Sequence, residues 1–66
     1  MDTLVNHVQS LRMNADMTQE DLAREIGVSR QTIIAIEKGN YEPSVMLALK
    51  IARHFERPMD KVFTIL

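Results

Sequence analysis

Arg30 and Gln31 stand side by side after Ser29. With Ile34, Ala35 and Lys38 they fall on or beside the outward side of a helix whose Ile33 and Ile36 face inward. A guanidinium fork and a carboxamide make directional hydrogen bonds to a partner, which is the chemistry of contact rather than of bond breaking. Elsewhere no nucleophile–base pair, phosphate-binding Gly loop or paired catalytic carboxylates stand out, and 66 residues leave little room for a walled pocket. His7 and His54 lack ligand spacing to each other or to a carboxylate cluster. They are expected to be solvated or packing residues, with no metal and no cofactor. An enzyme is not expected.

The elements that must position these residues run from Thr18 to Gly39, TQEDLAREIGVSRQTIIAIEKG. Thr18 is an N-cap with Asp21 three residues on, a capping box weakened because Asp is shorter than Glu or Gln. Leu22, Ala23 and Ile26 form one buried stripe. Gly27 follows it, where a helix end favours a residue that tolerates positive φ. Ser29 caps the second helix. Ala23 lies where the two helices would cross, and a larger side chain would push them apart. Small residue, sharp turn and paired apolar stripes belong to a helix-turn-helix.

A chain of 66 residues, 45% hydrophobic, builds a single domain, expected over residues 1–66. A domain of that size buries roughly 60% of its unfolded surface. Without cysteine it has no disulfide framework and no Cys-based zinc site. No run reaches membrane-spanning length and MDTLVNHVQS lacks signal-peptide character, so a cytoplasmic protein with no membrane partner is expected. The formal charge of −1 argues against tight non-specific binding to a polyanion. The charge is unevenly spread, with Asp16, Glu20, Asp21 and Glu25 before and along the first helix of the pair and Arg30 and Lys38 on the second.

Asn6 and Gln9 suggest a cap for a first helix from about Asn6 to Ala15. Met1 to Val5 suits a short strand, though a helix beginning at Asp2 or Thr3 is nearly as good. Pro43 keeps the preceding helix from running on, and Ser44 caps a fourth helix in which Leu47, Ala48, Ile51, Ala52 and Phe55 make a core wall, flanked by Val45 and Leu49. Arg57-Pro58 ends it, and Met59 to Val62 allow a one-turn fifth helix. Met13, Met17 and Met59 are expected to fill core. Five helices make an all-α fold.

From about Leu11 to Phe63 the chain resembles the Cro-like and lambda-repressor-like helix-turn-helix family of transcription regulators, and in particular its minimal members. The residues that carry the likeness are T-Q-x-x-L-A from Thr18, the Gly27 turn, S-R-Q-T-I from Ser29, and I-E-x-G-x-x-x-P-S from Ile36 to Ser44. The resemblance implies a compact five-helix domain that binds double-stranded DNA through a recognition helix at 29–37. It implies that Ser29, Arg30, Gln31, Thr32 and Ala35 enter the major groove, where Arg30, Gln31, Thr32 and Ala35 read bases. Arg suits guanine O6 and N7, Gln suits adenine N6 and N7, and Ala suits a thymine methyl. Ile34 stands where the family usually has a polar residue, so it meets either thymine methyls or protein. Thr18, Gln19, Ser29, Lys38, Asn40, Tyr41 and Ser44 are implied to contact phosphates, with the helix N-termini after Thr18 and Ser44 favouring an anion. Gln19 is also implied to brace the second helix. Arg12 and Glu37 match a family ion pair that fixes the recognition helix against helix one.

The apolar tail is expected to bury Val62, Phe63, Ile65 and Leu66 against a second copy; folding back on its own core is the alternative. A homodimer would present two recognition helices to half-sites about 34 Å apart. A small sheet of Met1–Val5 and Val62–Leu66 near that interface completes the expectation. The function expected is a DNA-binding regulator that represses from a palindromic operator. The alternative is a protein-interaction module on the same fold, an antitoxin or anti-regulator partner, suggested by the net charge, Ile34 and the tail.

Overall fold

Three of the helices begin where a hydroxyl side chain replaces missing intrahelical acceptors. Thr18 Oγ1 accepts from the Asp21 amide at 3.0 Å and Asp21 Oδ2 accepts from the Thr18 amide at 3.0 Å, a complete capping box. Ser29 and Ser44 accept from the amides of Thr32 and Leu47 at 3.2 and 3.1 Å. The computed structural model describes residues 2–66, in the order β1 (Leu4–Asn6), α1 (Val8–Asn14), α2 (Gln19–Ile26), α3 (Arg30–Lys38), α4 (Val45–His54), α5 (Met59–Val62) and β2 (Phe63–Ile65). Met1, where the expected strand segment starts, lies outside the described residues.

Gly27 and Gly39 end α2 and α3 at φ of +88° and +80°. A Cβ at either would meet nothing within 4 Å, so glycine is needed there for backbone conformation and not for space. At Gly39 the amides of Gly39 and Asn40 return to the carbonyls of Ile36 and Ala35, each at 3.0 Å, which satisfies orphan acceptors of α3. α4 stops earlier than Arg57-Pro58, at His54, because Glu56 turns to φ +54° and the Arg57 amide bonds back to the Ala52 carbonyl at 3.0 Å.

The core joins Val8, Leu22, Ala23, Ile26, Ile33, Ile36, Leu47, Ala48, Ile51, Ala52, Val62 and Phe63, with Leu11, Met17, Val28, Phe55 and Met59 packed on it. α2 packs chiefly on α3, and Ala23 of α2 is buried in the shared core. Met13 is a correction. It is 59% exposed, because α1 turns only Val8 and Arg12 fully inward and Met13 lies off that stripe. Val45, Met46 and Leu49 remain exposed on the flank of α4.

The chain ends form an antiparallel pair with Leu4 opposite Ile65, Val5 opposite Thr64 and Asn6 opposite Phe63. It is extended by mutual bonds between Thr3 and Leu66, the Thr3 amide donating at 3.2 Å and the Leu66 amide at 2.8 Å. This pairing starts α1 later than Asn6. His7 occupies the cap position without a side-chain bond, Asn6 Oδ1 accepts from the Val8 amide at 3.2 Å, and Gln9 is exposed, so no Asn6–Gln9 box forms. The expected tail interface is corrected in part as well. Val62 and Phe63 are buried in their own chain's core, whereas Ile65 and Leu66 are 72% and 82% exposed. The sheet decides this, since β2 follows α5 without a break and the Val62 carbonyl accepts from the His7 amide at 2.8 Å, which pins the start of the tail to its own chain. Among the described residues no helix is long and apolar enough to cross a membrane.

Candidate nucleic-acid interface

α3 carries two chemically opposite sides. Ile33 and Ile36 are buried, while Arg30, Gln31 and Lys38 are exposed and Thr32, Ile34 and Ala35 are half-buried at the boundary. The Ser29 and Thr32 hydroxyls lie 3.0 Å apart, so the side chains that open the helix are held against one another. The outward side of α3 is therefore a ridge of a guanidinium, a carboxamide and a hydroxyl at one end, with Ile34 and Ala35 behind them.

That ridge is anchored from beneath at its other end. Arg12 Nε donates to Glu37 Oε2 at 2.7 Å and Nη2 to Oε1 at 3.2 Å, with the two side chains only 11% and 4% exposed. Arg12 Nη1 donates to the Met17 carbonyl at 2.8 Å, and Gln19 Nε2 donates to Glu37 Oε1 at 3.1 Å. The Glu37 carboxylate thus ties α1 and α2 to the last turn of α3, and its partner Arg12 also holds the loop before α2. The two-pronged geometry with extra hydrogen bonds is what compensates two desolvated charges. Among the described residues no buried side-chain nitrogen or oxygen lacks a partner.

Apart from Ser29, which caps α3, the residues expected to meet phosphates fall into two groups. Thr18 and Gln19 share a shallow cleft with Arg30, Glu20, Arg12 and Met17, which puts the start of α2 beside the start of α3. Lys38, the last residue of α3, and Asn40 and Tyr41 just beyond it are exposed, and Ser44 opens α4 after them. Every hydroxyl among them that caps a helix is already accepting from a backbone amide, yet stays at the surface. The acids of α2 are a solvated flank, with Asp21 3.6 Å from Arg24. Bonding to the Thr18 amide, then to its side chain, with a smaller contribution from Arg24, holds the Asp21 carboxyl below its usual value.

Sequence reasoning missed one long-range bond in this scaffold. Asn6 Nδ2 donates to the Ile36 carbonyl at 2.8 Å across 30 residues. Its position before a helix marks Asn6 as a cap, but nothing local signals where the amide's donor half goes.

The helix-turn-helix family matches residues 8–62. A helix-turn-helix-type transcriptional regulator of Methanocaldococcus jannaschii is 53% identical over 58 residues, 88% of each chain. This chain belongs to the helix-turn-helix family. Its members are DNA-binding transcriptional regulators and not enzymes. The transcriptional repressor RstR of a cryptic CTXphi phage in Vibrio cholerae is 35% identical over 55 residues, covering 83% of this chain and 50% of that protein. Among solved structures, the restriction-modification controller protein C.AhdI of Aeromonas hydrophila superposes with a TM-score of 0.75 at 26% identity, over 82% of both chains. The family match at residues 8–62 spans all five helices of this helix-turn-helix regulator, from α1 to α5.

Proposed function

We propose that this regulator represses transcription by binding a palindromic operator as a homodimer, with α3 lying in the major groove. The observation that carries the reading is the exposed Arg30–Gln31 ridge on a helix whose far end is clamped by Arg12, Gln19 and Glu37. Arg30 and Gln31 are the principal base readers, Thr32 and Ala35 complete the contact, and Ile34 packs on thymine methyls. Thr18, Gln19, Ser29, Lys38, Asn40, Tyr41 and Ser44 hold the phosphate backbone on either side, fixing register without reading sequence. Gln19 does so while its amide donor is on Glu37, which makes it a brace first. Repression is supported by the likeness to a phage repressor.

The dimer contact is assigned to Ile65 and Leu66, the exposed part of the tail. Val62 and Phe63 contribute by holding β2 in place from within the core. A two-fold pair sets two α3 helices at half-sites about 34 Å apart.

Selection from a random duplex library with the purified protein tests all of this. A palindromic consensus is expected. Arg30→Ala and Gln31→Ala should relax base preference at defined positions, by about 1 to 3 kcal/mol for each bidentate hydrogen-bonded pair removed. Lys38→Ala should weaken binding to all duplexes alike and lower the salt slope by about 1. No enrichment over the starting pool at low salt would sink the reading.

A further inference from the structure

We infer that Asn6 is a positioning residue for base reading, because it couples the terminal sheet to the C-terminal end of the recognition helix; the inference rests on α3 being the reading element. Asn6 uses both halves of its carboxamide. Oδ1 accepts from the Val8 amide at 3.2 Å and so starts α1, while Nδ2 donates to the Ile36 carbonyl at 2.8 Å. That carbonyl also accepts from the Gly39 amide at 3.0 Å, which fills both of its lone-pair positions. It lies one residue before Glu37, whose carboxylate is held by Arg12 and Gln19.

The last turn of α3 is therefore gripped at two adjacent residues by different parts of the chain. At Glu37 the grip comes from α1 and α2. At Ile36 it comes from β1, whose Asn6 is paired with Phe63 of β2. Moving the sheet moves Asn6, and moving Asn6 tilts or frays the end of α3 and redirects the side chains at its start. Base discrimination depends on bidentate geometry, which a small tilt spoils, whereas phosphate contacts through flexible side chains and screened charge tolerate it. Asn6 thus governs specificity more than affinity, and it links the tail, where the second copy is assigned, to the groove.

The test uses the full chain with two probes, the duplex selected by the unmodified protein and a scrambled duplex of the same composition. Asn6→Asp keeps an oxygen for the Val8 amide but removes the donor and sets a carboxylate against the Ile36 carbonyl. Asn6→Ser keeps a short acceptor without the reach, and serves if the Asp variant melts below the assay temperature. Each is expected to lower the affinity for the selected duplex roughly fivefold or more, the weight of one net hydrogen bond. Affinity for the scrambled duplex and the salt slope should stay as they were. In the free protein the amides of Gly39 and Asn40 should exchange faster, with Leu47 unchanged. A folded variant that binds both duplexes more weakly in the same proportion, or neither, or that leaves Gly39 and Asn40 protected, overturns the inference. Arg30→Ala on the same two probes separates the premises: if it too leaves the affinity ratio untouched, α3 is not the reader, and the failure lies there instead of at Asn6.

Discussion

The α2–α3 unit and the two chain ends are both parts of one core, yet they are held in different ways. α2 and α3 start on their own caps, stop on their own left-handed glycines and pack extensively against each other in one core. The ends have no such local instructions. β1 and β2 are three residues each and exist because each satisfies the other's backbone. The difference shows that a site can be built from helices with their own start and stop signals while its orientation is left to contacts from segments distant in sequence. The clamp on Glu37 and the Asn6 bond to Ile36 are where the two regimes meet.

Disturbing the clamp should have the largest effect, because it joins both regimes. Glu37→Ala should destabilise the fold by about 3 to 5 kcal/mol, since it strands a buried guanidinium, and urea titration would show the protein largely unfolded near room temperature. Replacing both partners with apolar residues, Arg12→Met with Glu37→Leu, should recover most of that stability. If the single change costs under about 1 kcal/mol, the clamp is no more than a surface pair.

Next in size is the tail, where one short segment should split in two. Phe63→Ala removes a core side chain and is expected to cost about 3 kcal/mol in chemical denaturation. Ile65→Ser with Leu66→Ser should leave the stability of the isolated chain within about 0.5 kcal/mol while shifting the proposed dimer toward monomer in sedimentation. Equal melting shifts at both sites would erase the distinction between core and interface.

Caps should matter less than either. Ser29→Ala and Thr18→Ala are each expected to cost about 1 kcal/mol, measured as a shift in denaturation midpoint. The smallest effect is that of pH on Asp21. Its folded-state carboxyl titrates below the usual 3.8 because it accepts from the Thr18 amide, so its contribution is present above that value and is lost as pH falls through the lower, folded value. Acid titration of Asp21→Asn should show a shallower decline of stability below about pH 4 than the unmodified chain.

Much of the fold is legible in the sequence because its signals are local. Thr18, Ser29 and Ser44 announce helix starts, Gly27 and Gly39 announce ends, and Leu22, Ile26, Ile33, Ile36, Leu47 and Ile51 mark the faces that must turn inward. Met13 escapes this logic because an apolar residue type is not a position: one step along a helix moves a side chain about 100°, here out of the stripe of Val8 and Arg12. The start of α1 falls later than its sequence suggests because Asn6 looks like a cap, while the sheet claims its backbone first. Arg12 and Glu37 are 25 residues apart, and no local rule joins them; only the family pattern suggests the pair.

Amino-acid order alone dictates where α2, α3 and α4 begin, where α2 and α3 turn and which residues form an outward ridge on α3, since caps, glycines and periodicity act over a few residues. Packing settles which end of the tail is core and which is surface. It also brings the Asn6 donor to Ile36, and gathers Arg12 and Gln19 on the single carboxylate of Glu37. Those outcomes depend on where distant segments come to rest, and a buried donor is satisfied by whatever acceptor the packed core delivers to it.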